Sequence, residues 1–212
     1  MRVEVRLAGY GGQGIVLAGL LLGKAAALHD GKEAVFTQSY GPEARGGASS
    51  ADVVIADAPV DYPLVTRPDC LVVMFQEAYE RYRPGLAESG LLVLDQDLVK
   101  PDPGEGTFHA IPATRLAEGL GKKIAANVVM LGFFTAVSGV VSGSAVEAAL
   151  RSTLAPRMLD LNLKAFATGY DYSSEGGHPG TPTPSAWMPG SPPLPIPPPE
   201  ACAGKASTRA CA

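Results

Sequence analysis

The chain has 212 residues, of which 46% are hydrophobic and 18% charged, enough for one globular domain with a substantial core. A formal net charge of -4 excludes the basic field that nucleic-acid binding requires. Three cysteines, Cys70, Cys202 and Cys211, make neither a disulfide framework nor a CxxC set for zinc or iron-sulfur clusters. No leader-like segment and no apolar run of membrane length are visible, so a cytoplasmic protein without membrane contact is expected.

"VEVRLAG" alternates Val3, Val5 and Leu7 with charged residues and then meets glycines, as a strand entering a turn would. A helix is expected over 14–29, stopped by Asp30 and Gly31. "EAVFTQ" reads as a second strand, "SYGPEARGGASS" as a loop and "ADVVIAD" as a third strand. "CLVVMF" and "LLVLD" read as buried strands flanking a helix at "QEAYERYRPGLAESG". From 122 onward the pattern is helical, through "KKIAANVVMLGFFTAVSGVV", "SAVEAALRSTL" and "RMLDLNLKAFATGYDY". Strands alternating with helices predict an α/β fold with a Rossmann-like, open, mostly parallel sheet flanked by helices.

The domain is expected to span 1–172. Residues 173–212 carry ten of the 19 prolines, a composition that excludes regular helix or central strand and predicts a disordered tail. Such a tail suits either a dispensable extension or a polyproline segment for an adaptor.

"GYGGQG" places Gly9, Gly11 and Gly14 at GxGxxG spacing between strand and helix, where backbone N–H groups can approach a phosphate. A nicotinamide cofactor also requires an acid at the end of the second strand. Thr37, Gln38 and Ser39 stand there, which disfavours NAD. Without a ligand, the glycines would supply only a tight turn and close helix packing. Gln13 faces either a ligand or water. The second loop offers Arg45 as a positive fork, Glu43 as its orienting partner, Tyr40 as a flat surface, and Gly46 and Gly47 for close backbone approach. A subunit contact through Arg45 and Glu43 is equally compatible with that loop.

Taken together, "GYGGQG", "TQSYGPEARGG", "KKIAANVVMLG" and "NLKAFATGYDY" resemble the gamma subunit of the 2-oxoacid:ferredoxin oxidoreductases, in particular those acting on 2-oxoglutarate. The resemblance covers residues 1–172; the proline-rich tail departs from it. It implies a cytoplasmic hetero-oligomer with alpha and beta subunits, and with a ferredoxin-like delta subunit in some assemblies. The complex oxidatively decarboxylates a 2-oxo acid, transfers the acyl group to coenzyme A and reduces ferredoxin, reversibly. The resemblance also places thiamine diphosphate, Mg and iron-sulfur clusters on partner chains. Coenzyme A binding and subunit contacts fall to this chain, which is inactive alone. Carried over residue by residue, Gly11, Gly12, Gln13 and Gly14 form a phosphate or pantetheine cradle. Ser39, Tyr40, Gly41, Glu43, Arg45 and Gly46 form the adjoining loop, for either ligand contact or closure over the alpha and beta active site. Asn127 matches a family position, and a buried helical asparagine favours packing or a helix-to-loop contact over a ligand role.

Pyruvate, 2-oxoisovalerate and indolepyruvate enzymes are the alternatives within the family. A purely structural subunit and a free-standing nucleotide-binding oxidoreductase are the alternatives to a coenzyme A-binding subunit. His29, His109 and His178 are expected at surfaces or helix ends, and Cys70 in the core. Glu77, Glu80, Arg81 and Arg83 are expected to form an exposed charged helix face.

Overall fold

The computed structural model describes residues 1–40 and 47–173. Six strands form one sheet: β1 (Arg2–Tyr10), β2 (Glu33–Tyr40), β3 (Ala48–Ala56), β4 (Cys70–Val73), β5 (Leu91–Asp95) and β6 (His109–Ile111), in the order β2-β3-β1-β4-β5-β6. β1, β4, β5 and β6 run parallel to one another, whereas β3 is antiparallel to both β1 and β2. The sheet is therefore α/β and mixed. Residues 41–47 are too short a connection to hold a crossover helix, so the second and third strands close as a hairpin. Consequently β3, not β2, lies beside β1.

Six α-helices complete the domain: α1 (Ile15–Lys24), α2 (Gln76–Tyr82), α3 (Ala113–Gly119), α4 (Ala126–Ser138), α5 (Gly143–Thr153) and α6 (Pro156–Tyr172). α1, α3, α4, α5 and α6 pack on one face, over Val3, Val5, Leu7, Val53, Ile55, Val72 and Val93. α2 packs on the other, where Ala78 and Tyr79 meet Leu71, Val73, Leu92 and Leu94. The alternation of β1 produces this division, since Leu7 faces the first layer and Ala8 the second.

The expected helix over 14–29 ends as α-helix at Lys24 and continues as a π turn over Ala25–His29, which leaves Leu28 exposed. The helix after β4 is shorter than expected; Pro84 confines its end to a single 3-10 turn, Arg83–Gly85. β6 and α3 had no counterpart in the sequence reading.

α4 and α6 cross at very close range. A β-carbon at Gly132 would collide with the carbonyl oxygen of Phe166, and one at Gly169 with that of Val129. No helix among the described residues is long and apolar enough to cross a membrane.

Candidate functional site

α1 leaves the end of β1 toward one face of the sheet, and α2 leaves the end of the adjacent β4 toward the other. The β1/β4 boundary is thus the topological switch point, where α/β sheets open a crevice at the carboxyl ends of their strands. The glycine loop stands at that crevice. Gly12 has φ 102° and Gly14 φ 77°, conformations that side chains resist, so glycine is required at both. Gly12 is exposed, with open space where a β-carbon would lie. The first turn of α1 has neither a side-chain cap nor an acidic residue, leaving its N–H groups and the positive end of the helix dipole for an anion.

The Gln13 amide is engaged on both sides. Its Oε1 accepts the Tyr10 N–H at 2.6 Å, and its Nε2 donates to the Met74 carbonyl at 2.9 Å, joining the ends of β1 and β4. A polar residue in a glycine loop announces itself in sequence, but its partner 61 positions away does not. Asn127, 3% exposed at the start of α4, donates from Nδ2 to the Gly14 carbonyl at 3.0 Å, the helix-to-loop contact expected of it.

Of the second loop, Ser39 is exposed at the end of β2, opposite Ser50, and Tyr40 is the last residue of that strand. Gly41, Glu43, Arg45 and Gly46 lie outside the described residues. Flanking them, the Gly47 carbonyl accepts the Gly11 N–H at 3.3 Å, which sets the base of this loop against the glycine loop. The end of β2 is separated from β1 by β3, so the arrangement of a dinucleotide fold, with the second strand next to the first, is absent.

Two buried polar groups went unrecognised in sequence. Asp95, fully buried at the end of β5, has its pKa raised by burial, the signature of many catalytic carboxylates. Its Oδ2 nevertheless accepts both the backbone N–H (3.0 Å) and the hydroxyl (2.7 Å) of Thr114, and its Oδ1 accepts the Asp97 N–H at 3.1 Å. It anchors the start of α3. Glu105 binds Arg83 through two bonds of 2.8 and 2.6 Å and accepts the Tyr79 hydroxyl at 2.5 Å. Arg83 therefore departs from the exposed charged face expected of it, while Glu77, Glu80 and Arg81 are exposed.

His29 is exposed at the end of the π turn. His109 corrects the surface expectation: it is 8% exposed on β6, because that short strand turns its side chain toward the layer that holds Val93 and Ile111. Its Nδ1 has no hydrogen-bond partner, and burial pushes its pKa down to about 4. His178 lies outside the described residues. Cys70 is fully buried, and burial pushes its thiol well above the usual range, so it is a core residue and not a nucleophile. Among the described residues no group of three His, Cys, Asp or Glu side chains could hold a metal ion.

Residues 4–172 match the pyruvate ferredoxin/flavodoxin oxidoreductase family, and the chain belongs to that family. Within it, the chain is a gamma-type subunit of a 2-oxoacid:ferredoxin oxidoreductase. It is 49% identical to the 2-oxoglutarate synthase subunit KorC of Methanocaldococcus jannaschii, over 82% of this chain and 96% of the relative. The KorC subunit of Methanothermobacter marburgensis is 47% identical over 83% and 99%. The pyruvate synthase subunit PorC of the latter organism is 33% identical over 82% and 99%. Among solved structures, the keto/oxoacid ferredoxin oxidoreductase gamma subunit of Geobacter sulfurreducens is 44% identical with a TM-score of 0.74, covering 81% of this chain and 95% of that one.

Proposed function

We propose that this chain is the gamma subunit of a 2-oxoglutarate:ferredoxin oxidoreductase. The complex converts 2-oxoglutarate and coenzyme A to succinyl-CoA and carbon dioxide, passes two electrons to ferredoxin, and runs in either direction. The observation carrying this reading is the 47–49% identity to 2-oxoglutarate synthase subunits across 96–99% of their length, against 33% to a pyruvate synthase subunit.

This chain contributes coenzyme A binding and subunit contacts and is inactive alone. Thiamine diphosphate, Mg and iron-sulfur clusters belong to partner subunits, the alpha and beta chains holding the thiamine diphosphate. Coenzyme A suits the residues present: the open space over Gly12 and the uncapped first turn of α1 accommodate a pyrophosphate. Gln13 and Asn127 hold the loop in shape from beneath. Arg45, in the adjoining loop, adds positive charge. When bound, coenzyme A supplies the thiol that accepts the acyl group; the role of these residues is to fix its phosphates and limit its motion.

A purely structural subunit is the second reading, favoured by one observation: both ends of the Gln13 amide are occupied by backbone groups. Co-expression with alpha and beta chains, followed by 2-oxoglutarate- and coenzyme A-dependent reduction of a viologen dye, tests the assignment. Activity of the complex and none of the lone chain is expected, with 2-oxoglutarate preferred in a 2-oxo acid panel. Coenzyme A binding by the lone chain separates the first reading from the second. Nicotinamide-linked activity of the lone chain would overturn both.

A further inference from the structure

The two edges of the sheet differ. β6, at one end, has three residues, whereas β2, at the other, runs for eight residues and is paired with β3 along its whole length. Among the described residues no strand pairs with the outer side of β2, whose alternate N–H and C=O groups are a template for another strand. Edge strands are commonly blunted by proline, lysine, a bulge or short length. "EAVFTQSY" contains no proline or lysine, and its register with β3 is unbroken.

α1 lies over this end of the sheet, packed on β3 and β2. A surface helix carries polar residues on its outer face, but α1 has no charged residue before Lys24. Ile15, Ala18 and Leu22 are buried, while Val16 and Leu20, one turn apart on the other face, are only half-buried. The π turn that follows packs on β2 and leaves Leu28 65% exposed. An open strand edge and an incompletely covered apolar helix face therefore stand side by side.

We propose that this end of the sheet docks a second copy of the chain, β2 pairing antiparallel with the β2 of that copy about a two-fold axis normal to the sheet. Residues directly opposite in an antiparallel pair share one hydrogen-bonding class, so the axis passes through a residue. Set at Phe36, it brings Phe36 against its symmetry mate, Val35 against Thr37, Ala34 against Gln38 and Glu33 against Ser39. Aromatic and β-branched pairs stabilise such a ladder, and no like charges are opposed. The same axis keeps both α1 helices on one face. Strands lie about 4.8 Å apart, so helices seated over β2 and β3 of each copy fall about 10 Å from one another, the separation of packed helices. The apolar face that each copy brings is the cover the other needs, which selects a second copy over an unrelated strand. The contact is isologous and closes at two chains. β3 separates it from β1 and the glycine loop, so it is independent of coenzyme A binding.

Size-exclusion chromatography with light scattering, run on the full chain over a range of concentrations, tests this. A dimer that dissociates on dilution is expected. Leu28→Glu, at an exposed position, should raise its dissociation constant about tenfold with the circular dichroism spectrum unchanged. Val35→Lys combined with Thr37→Lys sets like charges opposite one another across the axis and should weaken the dimer further. Val35→Glu combined with Thr37→Lys sets opposite charges there and should restore it toward wild type. A monomeric wild type, or a dimer indifferent to both Leu28→Glu and the paired lysines, overturns the proposal. Weakening by the paired lysines without rescue by the charge pair overturns the register about Phe36. Loss of alpha- and beta-chain capture by the paired-lysine variant on co-expression also overturns the proposal, because β2 would then seat those subunits.

Discussion

Asn127 and Gly14 are fitted to one another: the Asn127 Nδ2 donates to the Gly14 carbonyl at 3.0 Å, and a β-carbon on Gly14 would collide with that same amide. The Gly14 carbonyl also accepts the Ala18 N–H at 3.0 Å, so one oxygen ties the start of α1 to its own first turn and to α4. The glycine loop is shaped by a residue more than a hundred positions away in sequence.

Gly14→Ala combines that collision with a φ of 77°, and it should lower stability by roughly 2–4 kcal/mol in urea denaturation. Asn127→Ala removes one hydrogen bond and leaves a small void, at a cost of about 1–2 kcal/mol. A double variant that loses less than the sum of the two would confirm that both act at one contact.

Gln13→Ala removes two bonds between strand ends and should cost roughly 1–3 kcal/mol. Gln13→Glu keeps the acceptor for the Tyr10 N–H but sets a carboxylate oxygen against the Met74 carbonyl, so it should rescue little. Melting temperature and coenzyme A affinity, measured together, distinguish the two roles. A structural Gln13 lowers the first in proportion to any effect on the second, whereas a ligand contact would lower affinity at unchanged stability.

Much of the candidate site was legible because turns advertise themselves. "GYGGQG" after an alternating strand placed a tight turn and a helix start correctly, and Asn127 was placed as a loop contact. Direction was not legible: β2 and β3 have the pattern of strands in either orientation, and only the short connection between them dictates the hairpin. β6 has three residues and α3 seven, too few for periodicity to register. Nor could sequence show that Arg83 turns away from Glu80 and Arg81 to meet a buried glutamate, because Glu105 lies in a loop with no pattern of its own.

Gly169→Ala would place a methyl group against the Val129 backbone, where no side-chain adjustment can relieve it. α4 and α6 would have to separate, with a loss of about 2–4 kcal/mol, or failure to accumulate as folded protein. Gly143→Ala is the contrasting control. Its β-carbon would lie 3.0 Å from the Tyr170 ring, which is partly exposed and free to shift, and the change should cost under about 1 kcal/mol.

His109 makes the domain acid-sensitive. The unfolded imidazole titrates near 6.5 and the buried one at about 4, so between these values the unfolded state binds more protons than the folded state. Stability should be level above about pH 6.5 and fall by roughly 2–3 kcal/mol as pH drops toward 4. His109→Phe, which fills the same edge of the core without a titratable nitrogen, should flatten that slope. Denaturation curves for both proteins at pH 7, 5.5 and 4.5, with the difference between them plotted against pH, isolate this group from the carboxylates that titrate nearby. A difference that does not change with pH would mean that the imidazole gains a proton as easily folded as unfolded, and that the unpartnered Nδ1 reaches water.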